Sequence, residues 1–112
     1  MTAGKGIVHA EMPASFDEPA VGFQLWLNLD KDNKLRPPRY QELKRDSIPV
    51  YKDDGKLIKV ISGEILGLKG PIEAITPTYF LDVTLFNNSE FMLTVPQGWN
   101  SMIIAYRGEL EV

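Results

Sequence analysis

The chain has 112 residues, 44% hydrophobic and 24% charged, a composition that fits one ordinary globular domain and leaves no length for a second complete one. It has no cysteine, so disulfides, thiolate metal ligands and a cysteine nucleophile are excluded. The formal net charge of -3 is unevenly spread: residues 1–30 carry one Lys against four acids, residues 31–59 nine Lys/Arg against five, and residues 60–112 two against six.

The first element in chain order is GIVHAEM, residues 6–12, read as a strand. It holds the only histidine, His9, with Glu11 two residues on. Side chains at i and i+2 of a strand share a face, so an imidazole nitrogen and a carboxylate are presented together, a donor pair suited to Fe(II), Mn(II), Zn(II) or Ni(II). The plainer alternative is a packed or hydrogen-bonded structural histidine. A mononuclear site takes about three or four protein ligands, so this pair is half of one. Asp82 and Glu90 qualify as further ligands by chemical type only. Gly4 and Gly6, just upstream, allow close backbone approach where the strand begins.

GFQLWLNL, residues 22–29, alternates: Phe23, Leu25, Leu27 and Leu29 on one face, Gln24, Trp26 and Asn28 on the other, which predicts a strand with one buried face. Residues 30–56 follow as a charged, Pro-rich connector with Pro37, Pro38 and Pro49, room for a turn or two of helix in RYQELKRDS, and a turn at Asp54-Gly55. Its positive residues, Lys34, Arg36, Arg39, Lys44 and Arg45, form a candidate surface for a protein partner. Interleaved acids, and no aromatics besides Tyr40 and Tyr51, argue against direct nucleic-acid binding and favour a solvated linker as the plainer reading.

The second half reads as a meander of strands: KLIKVIS (56–62), TYFLDVTLF (78–86), EFMLTV (90–95) and SMIIAY (101–106). In the second of these Tyr79, Leu81, Val83 and Leu85 make the core face. The glycines of GEILGLKG lie between strands with no helix after them, so they read as turn residues rather than a phosphate loop. Trp26 and Trp99 are candidates for an aromatic pocket, with core and turn packing as their plainer roles. Ser47, Ser62, Ser89 and Ser101 have no histidine partner at a recognisable spacing, which speaks against serine hydrolysis. No apolar run approaches membrane-spanning length and no leader pattern opens the chain, so a cytoplasmic protein outside the membrane is expected.

The blocks MTAGKGIVHAEMP, GFQLWLNL, PPRYQELK, KVISGEILGLKGP, TPTYFLDVTL and VPQGWNSMIIAYRGE, in this order, resemble the pirin family from Met1 to about Glu109. Pirins are bicupins, two cupin β-barrels in a chain more than twice this length. The resemblance implies an all-β, cupin-type β-barrel or sandwich. It also implies a metal site, usually iron, held by three histidines and one glutamate, of which the H-x-E pair carries over to His9 and Glu11. The family's H-x-H pair lies upstream of that block and is absent here.

The chain is therefore expected to correspond to the middle of a pirin, truncated relative to the family. Residues 1–29 resemble the back half of the N-terminal cupin, 30–56 the connector, and 57–112 the front half of the C-terminal cupin. The two halves would close as a composite barrel or be completed by a homo-oligomer, most simply a dimer. Three functions stay open. One is an Fe(II)-dependent oxygenase of the quercetin 2,3-dioxygenase type, with Glu11 as base and the site completed by a partner or oligomer. Another is a module that binds transcription regulators through the basic connector. The third is a truncated or mis-started product, half of whose metal site remains and which lacks full activity alone.

Overall fold

In a computed structural model, residues 1–12, 17, 19 and 21–112 are described. The architecture is all-β: apart from one 3-10 turn at Arg45–Ser47, every regular element among the described residues is a strand. These are β1 (Val50–Lys52), β2 (Lys56–Ser62), β3 (Glu64–Ile65), β4 (Leu68–Lys69) and β5 (Phe80–Leu85). No described helix is long and apolar enough to cross a membrane.

β2 is the centre of an antiparallel sheet of order β1-β2-β5, pairing Tyr51 with Ile58 on one edge and Ile58 with Val83 on the other. It spans the residues that the run of β-branched side chains predicts. Its alternation places Ile58, Val60 and Ser62 inward, and Ile58 and Val60 are 0% exposed. Tyr79, Leu81 and Val83 pack against them as the predicted core face of β5, and Ile65 completes the buried set. The register slips between Val60 and Ser62. Beside this bulge the Ile61 carbonyl accepts from the Ile72 amide at 3.2 Å, and the Ser62 hydroxyl donates to the Ile72 carbonyl at 3.0 Å.

Two turns make this possible. Between β1 and β2, Asp53 Oδ1 accepts the amides of Gly55 (2.9 Å) and Lys56 (2.8 Å), while Oδ2 accepts from the Tyr51 hydroxyl (3.0 Å) and pairs with Lys56 Nζ (3.0 Å). The Lys56 ammonium foremost, with the Gly55 amide, holds the Asp53 carboxyl at about 2. GEILGLKG, expected to be turn alone, instead makes the β3–β4 hairpin around Leu66 and Gly67, both at positive φ (51° and 73°) as a primed two-residue turn requires.

Four predicted strands do not form ladders. Among the described residues no strand is assigned to 6–12, 22–29, 90–95 or 101–106, and the backbone of 21–29 and 100–112 makes no backbone hydrogen bond. Alternation reports which side chains share a face but not whether a neighbouring strand exists, and these segments find none. Segment 90–95 still shows the pattern, with Phe91 and Leu93 on the core and Met92 outside. Segment 22–29 does not: on its predicted buried face Phe23 is 61% exposed and Leu25 and Leu27 are also exposed, and Trp26 on the opposite face is 85% exposed. The connector yields only its 3-10 turn and contributes β1. Of the expected 1–29 unit, residues 13–16, 18 and 20 lie outside the described residues.

The sheet is open, and the fold is spread out. The accessible surface is 9837 Å², against about 6,200 Å² for a compact monomer of this mass. The radius of gyration is 16.1 Å where about 13 Å is usual for this length. Residues Leu25, Leu27, Met102, Ile103 and Ile104 all contribute exposed apolar surface.

Two outcomes are expected from this core. Ile58→Ala should lower unfolding stability by about 2–5 kcal/mol in urea titrations, since β2 is packed on both edges. A carboxyl held low stabilises the fold above its ordinary range and loses that effect as pH falls toward about 2. The Tm difference between wild type and Asp53→Ala should thus be present at neutral pH and close on acidification, followed by circular dichroism.

Candidate metal half-site

The N-terminal segment is docked on the connector by a two-bond bridge, Thr2 amide to Arg39 carbonyl (2.8 Å) and Arg39 amide to Thr2 carbonyl (2.9 Å). The Lys5 amide adds a bond to the Arg36 carbonyl at 3.0 Å. Gly4, at φ +52°, lies so close that a Cβ there would stand 2.0 Å from the Arg36 carbonyl oxygen, the close approach expected of it, whereas a Cβ at Gly6 would meet nothing within 4 Å. This contact launches the chain toward His9 and Glu11.

His9 Nε2 lies 3.7 Å from Glu11 Oε1, with the side chains 36% and 68% exposed, so the two do share a face although no ladder enforces it. Ligand bonds of about 2.0–2.2 Å place two adjacent donors of one tetrahedral or octahedral ion about 3.0–3.5 Å apart. The pair is near that bite and chemically fits two positions of a transition-metal ion. Among the described residues no group of three His, Cys, Asp or Glu side chains gathers, so the remaining positions are not filled from within this set.

Glu11 has a neighbour that strand reading placed on a shared face without linking it to the carboxylate. Gln24 Nε2 donates to Glu11 Oε1 at 2.9 Å, and Trp26 Nε1 donates to Gln24 Oε1 at 3.0 Å. The Q-x-W spacing was the available signal; its partner across 13 residues was not.

The carboxylates named by chemical type stand elsewhere. Asp82 takes Lys59 Nζ at 2.6 Å and the Tyr106 hydroxyl at 2.8 Å. Partial burial pushes its carboxyl up, but those two partners outweigh it and the net shift is downward. Tyr106 in turn is held up by donating to this carboxylate, and its ring meets Phe23 edge-on at 5.4 Å. Neither Asp82 nor Glu90 joins His9 and Glu11. Trp99 tilts against Tyr79 at 5.0 Å, so the two tryptophans serve different contacts rather than one pocket. The hydroxyls of Ser47, Ser62 and Ser89 donate to backbone carbonyls.

The basic connector is partly committed. Arg39 pairs with Glu73 at 3.1 Å, Lys34 Nζ donates to Asn28 at 2.6 Å, and Arg36 to Asn33 at 3.1 Å, while Lys44 and Arg45 are exposed. The connector also docks through Gln41, whose amide donates to the Glu73 carbonyl (3.0 Å) and accepts from the Glu73 amide (2.9 Å). The connector is exposed along most of its length and is also a strap tied to Thr2 and Lys5 on one side and to Glu73 on the other.

No family model and no solved structure matches the chain. Among curated proteins it is similar to pirin of Rattus norvegicus and pirin of Homo sapiens, each 46% identical over all 112 residues, which is 38% of those proteins. Pirin-like protein 2 of Arabidopsis thaliana is 45% identical over 101 residues, 90% of this chain and 31% of that protein. The chain thus spans about 38% of the length of the mammalian pirins it matches.

If Asp82 is the clamp described, the Tyr106 phenol ionises above its ordinary value near 10. Asp82→Asn should return it to that range, read from phenolate absorbance on alkaline titration with Tyr106→Phe as the blank.

Proposed function

Because the chain belongs to the pirin family, with the all-β architecture that a cupin implies, we propose that His9 and Glu11 are its contribution to a pirin-type metal site. The observation that carries this reading is the 3.7 Å approach of an imidazole nitrogen and a carboxylate oxygen on one exposed face. Two donors bind an ion weakly; about three or four make a resident site. The missing donors come from a second copy of this chain, whose own His9 and Glu11 bring the set to two imidazoles and two carboxylates.

The case for a second copy rests on surface. The excess of about 3,600 Å² over a compact monomer exceeds the roughly 1,000–2,500 Å² that each partner of an obligate dimer buries. Segments 22–29 and 101–106 are apolar and uncharged, with backbone groups unpaired among the described residues, so like-charge repulsion does not oppose their pairing with another copy.

His9 and Glu11 would hold Fe(II), and a bound iron would supply Lewis-acid and redox chemistry. The protein's own part is to present the imidazole as a ligand and to keep a carboxylate beside it that accepts a proton from an acidic substrate hydroxyl, as an oxygenase acting on flavonols such as quercetin requires.

Light scattering and elemental analysis on one tag-free sample test both halves of the proposal. The expected result is a mass near 25 kDa, twice 12.6 kDa, with one iron per two chains that is lost in His9→Ala. A metal-free monomer overturns the assembly and the site together. A monomer with one iron per chain overturns the shared site alone.

A further inference from the structure

We infer that Trp26 and Gln24 form a hydrogen-bond relay that positions Glu11 as a metal ligand, an inference that rests on the metal reading of His9 and Glu11. The two extended segments each carry an i, i+2 pair, His9/Glu11 and Gln24/Trp26, and the four side chains lie in one line of contact: His9 Nε2 to Glu11 Oε1 at 3.7 Å, Gln24 Nε2 to the same oxygen at 2.9 Å, and Trp26 Nε1 to Gln24 Oε1 at 3.0 Å.

Donor chemistry makes this line directional. A carboxamide has a donating and an accepting end, and either could face a neighbour. An indole N–H only donates, so Trp26 fixes the Gln24 carbonyl toward itself and thereby turns the NH₂ toward Glu11. An ionised carboxylate only accepts, which matches the end it meets. Glu11 is largely exposed, and a long side chain in water samples many rotamers. The Gln24 bond selects the one whose Oε1 lies beside His9 Nε2. Oε1 keeps a second lone pair for the ion beside His9, and Oε2, with no protein hydrogen bond among the described residues, stays open to a proton.

The relay also accounts for an exposed tryptophan. Trp26 packs on no core, yet its polar edge is satisfied by the one residue that can transmit its orientation to the carboxylate. Hydrogen-bonding partners that orient ligating carboxylates typically contribute about 10–100-fold to metal affinity, and Gln24 is a positioning residue of this kind.

The test is calorimetric titration of Co(II) into the full chain and into His9→Ala, Gln24→Ala, Trp26→Phe and the Gln24→Ala/Trp26→Phe double variant. Far-UV circular dichroism checks the fold, since all three positions lie outside the sheet. Binding should vanish in His9→Ala, weaken about 10–100-fold in Gln24→Ala, and weaken less in Trp26→Phe. In the Gln24→Ala background Trp26→Phe should add nothing, because the relay is already cut. A metal-independent readout accompanies it: in Glu11→Ala the Gln24 side-chain amide and Trp26 indole N–H signals should both shift in NMR spectra.

If His9→Ala abolishes binding while Gln24→Ala binds like wild type, the relay is wrong and the metal reading stands. If the Trp26→Phe loss is equal in both backgrounds, Trp26 acts by packing and the relay is wrong. If the wild-type chain takes no Co(II), the metal reading fails and the inference fails with it.

Discussion

The regular structure of this protein hangs on the double pairing of β2. One strand of seven residues supplies both inter-strand ladders of the main sheet and, among the described residues, both fully buried side chains, Ile58 and Val60. Its inward face carries the desolvation that drives folding, and its two edges satisfy the backbone groups which that burial would otherwise strand. The Asp53 turn sets the first ladder's register. The bulge after Val60 bends the strand end toward Ile72, which is how residues beyond the hairpin β3–β4 return to the sheet.

Around that strand the molecule becomes progressively less closed. Phe91 and Leu93 reach the core without a ladder. Phe23 of the 22–29 segment meets the ring of Tyr106 in the 101–106 segment, and Tyr106 is itself held by Asp82 on β5. Tyr106 therefore links the sheet to the apolar 22–29 segment next to the candidate site. His9 and Glu11 lie at an exposed part of the fold, their side chains 36% and 68% exposed.

What the sequence made legible follows from what each signal encodes. β-Branched density and period-2 alternation located β2 to the residue and identified the inner face of β5, because burial on a pleated surface is what that pattern records. The same pattern could not say that 22–29 lacks a neighbour, since pairing depends on residues far away in the chain. Leu66 at positive φ was invisible because a leucine does not advertise that conformation. At the site, the i, i+2 rule put His9 beside Glu11 and Gln24 beside Trp26, and both pairs are adjacent although neither segment is a strand. It took the fold to set those two pairs against each other.

The strap contact at residue 73 separates what evolution can change from what it cannot. Gln41 reads the backbone of position 73, accepting its amide and donating to its carbonyl, whereas only Arg39 reads the carboxylate. Most side chains at 73 would leave the Gln41 clasp intact and forfeit only a surface ion pair, which is worth little. A change at 41 would undo both backbone bonds at once. Sequence drift at this contact should therefore be lopsided, with position 73 free to wander across residue types and position 41 confined to a side chain that both donates and accepts.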